Sequence, residues 1–360
     1  MQQLLPEVKN VLETLVNGGK RPTTIKPISE DWKHFVAFLK KVDEIADTEK
    51  DKIVAKVPFC LRALIKDAFH LKKNNDRTVA GYLGVLCTGA CPGRFIDALV
   101  ALDVQDFSVT LIDDIIDNEE RRANKVACHI KLGTNTTLTI AMFLKSLSSQ
   151  IVLESKLKNN VKLRILSEME NLHSKIYEGQ FLDVQYEGKA MSEISESDYL
   201  KMVSLTTGYQ FAGFLRIGGI LAGASASNIS LLGKIGLRLG TLGQIRDDLV
   251  DYLPDEKQIW KTPLLDFKRN KRRLPLIIGW NSATPAEKRK IIELQKKKRL
   301  NVKDHATIVG ILMKSENLEQ IRVIMRKLKD EGHELIDQSD FKPKGKKLLR
   351  AYFSYGMAGI

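Results

Sequence analysis

The chain has few of the residues that mark several common protein classes. Its 360 residues include only 4 cysteines, which are too few and too irregularly placed for a disulfide framework, so we expect a reducing compartment. With 24 glycines and 10 prolines, a collagen-like or low-complexity chain is excluded. The most apolar window, residues 211–226, contains Arg216 and falls short of the roughly 20 apolar residues of a membrane span. We expect that window to be a buried helix that packs closely on its neighbours.

Export signals, aromatic residues and strand patterns are also scarce. The first residues carry Pro6 and Glu7 where an export signal needs an unbroken apolar stretch, so we expect a cytoplasmic protein. Aromatic residues make up 7% of the chain and no basic strand is interleaved with them, so we expect no nucleic-acid partner. Apolar residues recur at spacings of three and four in segments such as 153–177 and 318–328, which predicts amphipathic helices and an all-α protein.

No repeat and no low-complexity linker divides the chain, so we expect a single domain over residues 1–360. Within it we expect a helical N-terminal extension over 1–58, a central core over 60–280 and basic helices over 281–360. Lys and Arg number 57 against 44 Asp and Glu, a net charge of +13, which predicts polyanionic partners. The densest basic run, residues 296–299, is more common on a solvated helix face than at a dedicated binding patch.

Two acidic clusters of the same DDxxD pattern are the most informative feature of the sequence, and each follows an apolar helical run. They comprise Asp113, Asp114, Asp117, Asp247, Asp248 and Asp251. At about 100° per residue, Asp113 and Asp117 point the same way on a helix and Asp114 lies to one side. Three carboxylates on a last helical turn repel one another and oppose the helix dipole, so a cation should compensate. Carboxylate oxygens in this arrangement suit Mg²⁺, which also coordinates substrate phosphate oxygens.

The alternative interpretation is two acidic patches on exposed helix faces. Two such clusters arise by chance in about one in a thousand chains of average composition. Basic residues also follow both clusters: Arg121 and Arg122 come after the first, and Lys261 and the run 268–273 come after the second. Cations beside metal-binding carboxylates suit a diphosphate leaving group, because guanidinium forks match phosphate oxygens.

Together these motifs resemble the trans-isoprenyl diphosphate synthases of the polyprenyl synthetase family. The two aspartate-rich motifs of that family are similar to DDIIDNEERR and GQIRDDLVDY in this chain. Residues 179–183 match its GQxxD pattern and residues 129–133 its HxxxG pattern. Lys261 and DFKRNKRRLPL follow its lysine and its DLxxGKxTLPL pattern. The resemblance covers about residues 60–280, and its specificity comes from the constellation of motifs.

The resemblance implies an all-α isoprenoid synthase bundle with a central apolar cavity and both acidic motifs facing each other at its mouth. It implies Mg²⁺, three ions per active site, with the six aspartates of the two clusters as ligands. The catalytic residues that it implies are Asp113, Asp114, Asp117, Asp247, Asp248 and Lys261. The substrate-binding residues that it implies are Lys73, Arg77, Ser108, Val109, Arg121, Arg122, Gln180, Thr207, Gln244 and Lys271.

The implied reaction ionises an allylic diphosphate and joins the resulting cation to isopentenyl diphosphate. Metal ions would withdraw charge from the leaving diphosphate, Arg121 and Lys261 would stabilise it, and an apolar cavity would exclude water. Ser108 and Val109 are small where bulky aromatic residues restrict short-chain members, which predicts a product of farnesyl length or longer, although Phe107 can still close the pocket. The family is commonly dimeric, so the resemblance also implies a homodimer.

The sequence departs from the family where a second diphosphate is expected to bind. The GKRxRP segment aligns with residues 73–78, of which only Arg77 clearly matches. Asp106 replaces the histidine or glutamine seven residues before the first motif, and an anion there would repel a second diphosphate. The Lys-Thr pair of the family becomes Thr206-Thr207, and the phenylalanine before the glutamine of its second motif becomes Gly243.

Three functions therefore stay open. The first is chain elongation, with an acceptor site that uses Lys73, Arg77 and Arg122 in a shifted arrangement. The second is cyclisation of an allylic diphosphate, or prenyl transfer to another acceptor, as in terpene synthase-like relatives. The third is a non-catalytic subunit or basic binding protein, which the intact aspartates disfavour. Terpene cyclases usually replace the second aspartate motif, so the retained DDLVD favours prenyl transfer. For the basic C-terminal region we expect contact with an anionic membrane surface.

Overall fold

The computed structural model describes residues 30–69, 76–122, 125–252 and 264–357. Within these ranges the chain is almost entirely helical, as predicted, with one short hairpin of two strands. The elements are α1 Glu30–Lys56, α2 Phe59–Phe69, α3 Asp76–Thr88, α4 Ile96–Ile116, β1 Arg121–Arg122, β2 Lys125–Val126, α5 Cys128–Leu132, α6 Thr134–Glu154, α7 Asn159–Glu187, α8 Glu196–Val203, α9 Tyr209–Leu221, α10 Ala226–Tyr252, α11 Leu265–Lys268, α12 Leu274–Ser282, α13 Pro285–Lys296, α14 Val302–Leu312, α15 Ser315–Asp337 and α16 Pro343–Gly356.

Helix α9 lies at the centre of the bundle, between α3 and α10. Small residues permit this packing. A Cβ atom on Gly218 would overlap the backbone of Gly81 and Gly84 in α3, and one on Gly236 of α10 would overlap the backbone of α9. The backbones are therefore in direct contact, which confirms the prediction of a buried helix in the window 211–226, although α9 itself ends at Leu221.

Helices α4 and α10 carry the two acidic clusters at their C-terminal ends. Every residue of α4 from 98 to 108 is buried, so the middle of this helix runs through the interior, and the helix reaches the surface at its first turn and at its acidic end. Asp117 is the C-terminal cap of α4, and its backbone N–H donates to the Asp113 carbonyl at 2.8 Å. Helix α10 ends at Tyr252, one residue after the second cluster. The clusters therefore end two long helices, as the sequence predicts.

The hairpin directly follows the first acidic cluster. Its strands are antiparallel, with Arg121 opposite Val126 and Arg122 opposite Lys125. Sequence analysis gave no strand at this position, because two residues a side are too few to show alternation. The hairpin matters for the site, since it turns the chain back so that Arg122 reaches the carboxylate of Asp114.

The two ends of the described chain pack on each other. Phe35 of α1 lies with its ring 5.4 Å from that of Tyr352 of α16, and α1 also contacts α3 and α4. The predicted extension over residues 1–58 is therefore packed against the bundle over its described part, while residues 1–29 lie outside the described residues. Helix α16 contacts α3 and α10 as well, which places its last turn beside the acidic helix ends.

Among the described helices, α6 is long and apolar enough to cross a membrane by length and composition alone. About 33% of its most apolar stretch is buried inside the protein. One face packs against α4, and the opposite face carries exposed apolar side chains such as Met142. Core helices of soluble proteins satisfy the same criterion, so this property alone is weak evidence for a membrane span.

Candidate active site

A cavity of about 400 Å³ lies where the ends of α4 and α10 meet α7, α9 and α16. The predicted site residues divide into three groups by position. Those that line the cavity are Arg77, Val109, Asp113, Asp117, Arg122, Gln180, Thr207, Gln244 and Asp247. Those described but outside its lining are Ser108, Asp114, Arg121, Asp248, Asp251 and Lys271. Lys73 and Lys261 lie outside the described residues.

Asp113, Asp117 and Asp247 bring three carboxylates to this one cavity from two different helices. Burial, followed by the nearby Asp117 carboxylate, raises the pKa of Asp113 to about 7. A raised pKa means that the negative charge is poorly compensated in the metal-free protein. Hard oxygen donors with uncompensated charge at a cavity wall fit a divalent cation such as Mg²⁺.

Asp114 turns away from the cavity and is held by Arg122. Its side chain is buried, and the Arg122 Nε donates to the carboxylate at 3.0 Å while an Nη of the same guanidinium contacts it as well. Burial opposes the charge of Arg122, but the neighbouring Asp114 carboxylate outweighs burial and raises the pKa of the guanidinium. Arg122 also lines the cavity, so this pair links a buried carboxylate to the cavity wall.

Lys271 is the centre of a buried ionic cluster rather than part of the cavity wall. Its Nζ lies 2.7 Å from Asp117, 2.7 Å from Asp183 and 2.6 Å from Glu187. One carboxylate oxygen from each of these three residues lies within 4.8 Å of the others, a spacing that suits a cation. Although burial opposes its charge, the Asp183 carboxylate raises the pKa of Lys271. The predicted substrate-binding lysine thus sits among carboxylates, because three acidic residues from α4 and α7 converge on it.

Arg273 pairs with Asp183 on the other side of the same cluster. Its Nη1 donates to Asp183 at 2.6 Å, and its Nε lies 3.6 Å from Asp266 and 3.9 Å from Asp248. Burial opposes ionisation of Asp183, but Arg273 and Lys271 outweigh it and lower the pKa of that carboxyl. Arg273 lines the cavity and lies between Asp183, which also binds Lys271, and Asp248 of the second acidic cluster.

In the second cluster, Asp248 and Asp251 accept hydrogen bonds from neutral donors. Asp248 is fully buried and accepts from the Tyr199 hydroxyl at 2.7 Å and from the Gln244 amide at 2.8 Å. Burial is the main reason that the pKa of Asp248 rises to about 6. Asp251 accepts from the backbone N–H groups of Leu265 and Asp266, each at 3.3 Å. Asp251 therefore binds the start of α11, and its role as a metal ligand stays a prediction.

Arg77 occupies a different part of the cavity and is ion-paired with Asp106. The Arg77 Nε lies 3.0 Å from the buried Asp106 carboxylate, and its Nη2 donates to Gln210 at 2.7 Å. Gln210 in turn donates to Asp106. The guanidinium lies over the Phe211 ring, 5.2 Å from its centroid. Asp106 stands where the family has histidine or glutamine, and its negative charge is neutralised inside the protein by Arg77.

The proposed pocket floor involves Phe107 and Val109 more than Ser108. Both Phe107 and Val109 line the cavity, and the Phe107 ring packs 5.9 Å from that of Phe69. Ser108 is buried and its hydroxyl donates to the Gln105 carbonyl at 2.7 Å. Ser108 faces away because successive residues of a helix point about 100° apart, so its side chain follows the helix backbone instead of the cavity.

Sequence reasoning missed several residues that shape this site. They are Asp106 as a partner of Arg77, and Asp183, Tyr199, Gln210, Arg246 and Arg273 as site residues. Asp183 stands inside the GQxxD match and Arg246 inside the second aspartate motif, so both had a signal in the sequence. Tyr199 and Gln210 had none, because their partners lie on other helices far along the chain.

Comparisons with known proteins find similar sequences and similar folds. A sequence model of the polyprenyl synthetase family matches residues 97–312. A geranylgeranyl diphosphate synthase from Saccharolobus solfataricus is 24% identical over 290 residues, covering 79% of this chain and 83% of that protein. A geranylgeranyl pyrophosphate synthetase structure from Pyrococcus horikoshii has a TM-score of 0.81 at 22% identity, covering 92% of this chain and 100% of that one. A polyprenyl synthase from Caulobacter crescentus, complexed with calcium and isoprenyl diphosphate, has a TM-score of 0.80 at 18% identity, covering 90% and 97%. The structural likenesses show the same helical fold.

Proposed function

Because the chain belongs to the polyprenyl synthetase family, we propose that it is a Mg²⁺-dependent trans-prenyltransferase. It ionises an allylic diphosphate and condenses the resulting cation with isopentenyl diphosphate, which yields a polyprenyl diphosphate of farnesyl length or longer. One observation carries the proposal: Asp113, Asp117 and Asp247 line a single cavity although they come from two helices. The similarity to a geranylgeranyl diphosphate synthase supports the choice of product class.

The cavity carboxylates are the proposed metal ligands. Asp113, Asp117 and Asp247 fit Mg²⁺ by the chemistry and charge of their oxygens, and we propose three ions, with Asp114, Asp248 and Asp251 in support. When bound, these ions supply electron withdrawal from the leaving diphosphate. The calcium and isoprenyl diphosphate bound in the Caulobacter crescentus structure support a divalent cation at such a site.

Polar side chains of the protein position the diphosphate and the metal ligands. The Thr207 hydroxyl donates to the Gln244 carbonyl oxygen at 2.6 Å, and the Gln244 amide donates to Asp248. This chain of hydrogen bonds fixes both rotamers at the cavity wall. Gln180 has a buried amide nitrogen without a hydrogen-bond acceptor in the described part of the chain, so it has a donor to offer a substrate oxygen. Arg122 adds positive charge at the same wall.

The inner wall of the cavity is proposed to set product length. Phe107 and Val109 line it, and a growing prenyl chain must pass them. We expect Val109→Phe to shorten the product and Phe107→Ala to lengthen it, with Ser108→Phe changing product length less than Val109→Phe because Ser108 does not line the cavity. Product lengths read by mass spectrometry would contradict this assignment if both Val109→Phe and Phe107→Ala left them unchanged.

A specific observation keeps a second function in view, in which the allylic cation cyclises or reacts with an acceptor other than isopentenyl diphosphate. Arg77 is engaged by Asp106 at 3.0 Å, so a cation that would otherwise attract a second diphosphate is already neutralised. An acceptor without a diphosphate would not need that cation. The retained second aspartate motif favours the first function.

Product analysis distinguishes these functions. The purified protein is incubated with Mg²⁺ and geranyl, farnesyl or geranylgeranyl diphosphate, with and without isopentenyl diphosphate. We expect longer diphosphates only when isopentenyl diphosphate is present. Hydrocarbons or alcohols formed equally well without it would replace the first function by the second. Absence of any product with every substrate would remove both enzymatic functions.

We also propose that the chain forms a homodimer through α6 and α7. Exposed apolar side chains recur at helical spacing on these neighbours, Leu138 and Met142 on α6 and Tyr177, Phe181 and Val184 on α7. A contiguous exposed apolar surface is typical of a protein interface. The double variant Met142→Glu and Phe181→Glu should halve the mass measured by light scattering, whereas an unchanged mass would exclude this face.

A cytoplasmic location and the absence of a nucleic-acid partner stay predictions, and we propose peripheral contact with an anionic membrane. Lys296, Lys298 and Arg299 are exposed, and the exposed apolar residues Ile292 and Val302 flank them. Basic residues near apolar side chains suit an acidic lipid surface. Binding to phosphatidylserine vesicles at low salt is the expected result, and its absence would remove this proposal.

A further inference from the structure

Among the residues that the structure describes, four arginines line the cavity: Arg77, Arg122, Arg246 and Arg273. Three of them are held in ion pairs inside the protein: Arg77 with Asp106, Arg122 with Asp114 and Arg273 with Asp183. An arginine whose charge is already paired attracts a new anion weakly, because the partner carboxylate repels that anion at close range.

Arg246 differs from the other three. Its guanidinium lies over the Tyr355 ring, 4.9 Å from the centroid, and it forms no ion pair with any described residue. Its Nε is buried and has no hydrogen-bond acceptor in the described ranges of the chain. The Nε atoms of Arg77 and Arg273 also lack an acceptor, but each lies within 4 Å of a carboxylate. A buried donor without an acceptor is unfavourable, and an anionic ligand in the cavity would supply the missing acceptor.

A row of aromatic rings connects Arg246 with Arg77. Arg77 lies over Phe211, Phe211 contacts Tyr352 at a ring distance of 5.8 Å, and Tyr352 contacts Tyr355 at 6.3 Å. Because Arg246 stacks on Tyr355, both guanidiniums belong to one aromatic wall of the cavity. Stacking fixes the plane of a guanidinium, so less freedom is lost when it binds a diphosphate.

We propose that Arg246 binds the diphosphate of the second substrate at this aromatic wall, and that Asp106 weakens this binding by keeping Arg77 in an internal ion pair. The inference rests on the proposed function, since it takes isopentenyl diphosphate as the second substrate. Guanidinium donors match diphosphate oxygens directly, so this binding needs no metal ion. The allylic diphosphate, in contrast, depends on the metal that the aspartates hold.

Calorimetric titration of isopentenyl diphosphate into the full chain in EDTA isolates this subsite. Without a divalent cation, the cavity carboxylates repel a diphosphate, so the remaining binding reports the arginines. We expect wild-type protein to bind, Arg246→Gln to weaken binding at least about 10-fold and Arg246→Lys to lie between them. We expect Asp106→Asn to tighten binding about 10-fold, because it frees the charge of Arg77 and removes an anion.

Arg238→Gln is the matched control, because it removes the same charge from the same helix at a pair with Glu331 that does not line the cavity. Its dissociation constant should equal that of the wild type. Equal losses in Arg246→Gln and Arg238→Gln would overturn the role of Arg246, and so would wild-type protein that fails to bind in EDTA. Asp106→Asn that binds no more tightly than wild type would overturn the role of Asp106.

Thermal unfolding and turnover keep this test separate from the proposed function. Variants that unfold at the wild-type temperature are folded. If Arg246→Gln does not fold, Arg246→Lys, which keeps the charge, replaces it in the binding test. Binding that is lost in Arg246→Gln while wild-type protein forms no longer diphosphate would contradict the proposed condensation and leave the anion site intact. Condensation by wild-type protein with unchanged binding in Arg246→Gln would contradict the anion site alone.

Discussion

The two acidic clusters share one sequence pattern, yet the protein surrounds them with different partners. The first is held by cations: Arg122 pairs with Asp114, and the buried Lys271 pairs with Asp117. In this cluster the first and third aspartates, Asp113 and Asp117, line the cavity. Fixed positive charge therefore lies directly behind two of its carboxylates.

The second cluster accepts hydrogen bonds from neutral donors, with the Arg273 guanidinium farther off, 3.9 Å from Asp248. Tyr199 and Gln244 donate to Asp248, and backbone N–H groups at the start of α11 donate to Asp251. Only the first aspartate, Asp247, lines the cavity. The Arg273 guanidinium, 3.9 Å from Asp248, offsets burial more than either neutral donor does, and burial still raises the pKa of Asp248.

Aspartates at the same position of the motif therefore do not always have the same role in the two clusters. In both clusters the first aspartate lines the cavity and the second is buried against partners, whereas the third lines the cavity in one cluster and holds a helix in the other. The first cluster therefore offers two carboxylates to a metal ion from one helix end, and the second offers one.

The largest expected effect comes from the two cavity-lining first aspartates. Asp113→Asn and Asp247→Asn keep the shape of the side chain and remove its charge, so each should lower turnover of an allylic diphosphate by on the order of 1,000-fold at saturating Mg²⁺. EDTA should abolish turnover of the wild type. Steady-state kinetics measure both effects, and Asp330→Asn on the exposed face of α15 is the control. Turnover within a few-fold of wild type in either variant would contradict the shared metal site.

Asp114 and Asp248, the second aspartates of the two clusters, test whether a charged partner contributes more to the free energy of unfolding than a neutral one. Arg122→Gln leaves the buried Asp114 without its cation and should lower the free energy of unfolding by about 3 kcal/mol. Tyr199→Phe removes one of several donors to Asp248 and should cost about 1 kcal/mol. Urea unfolding of the metal-free protein measures both.

A control for that comparison is Arg238→Gln, whose partly exposed pair with Glu331 should contribute less than about 1 kcal/mol. Equal losses in Arg122→Gln and Tyr199→Phe would show that the two clusters are held equally strongly. A smaller loss in Arg122→Gln than in Arg238→Gln would show that Arg122 has no structural role.

Asp251 tests whether the third aspartate of the second cluster serves the fold or the metal. Asp251→Ala removes the acceptor for two backbone N–H groups and should cost about 1 kcal/mol of unfolding free energy. Asp251→Asn keeps an acceptor oxygen and should retain most of the stability and the activity. If Asp251→Asn instead loses as much turnover as Asp247→Asn, Asp251 is a metal ligand.

The sequence predicted the parts of this site that depend on local geometry. Helical periodicity placed Asp113 and Asp117 on one face with Asp114 to the side, as found, because all three belong to one helix end. The hydrogen bonds of Asp251 were not predictable from the sequence, because their backbone donors lie in α11, more than ten residues farther along the chain. The burial of Lys271 was equally hidden, because it depends on carboxylates that α4 and α7 bring together.

The helices that carry the two clusters also differ in how their buried polar groups respond to acid. Helix α4 contacts His173 of α7 through Gln105, whose amide nitrogen lies 2.8 Å from the His173 Nδ1. Burial, followed by the Lys145 charge, lowers the pKa of His173 to about 4, while Glu170 and Asp106 act in the opposite direction. Helix α10 contacts Tyr199, which stays neutral because burial holds its pKa well above its ordinary value, and carries Asp248, whose pKa burial raises to about 6.

The smallest expected effect follows from that difference. His173 stays neutral in the folded protein, while the unfolded chain takes up a proton near the ordinary value of 6.5, so the contribution of His173 to stability is lost as pH falls through that value. Asp113 and Asp248, whose pKa values are raised to about 7 and about 6, contribute in the opposite direction over the same range. Between pH 7 and 6 the loss from His173 should be roughly 0.7 kcal/mol. His173→Gln keeps a polar partner for Gln105 and should remove this part of the pH dependence in urea unfolding. Parallel profiles for wild type and His173→Gln would mean that the imidazole does not set the acid sensitivity of the helix that carries the first cluster.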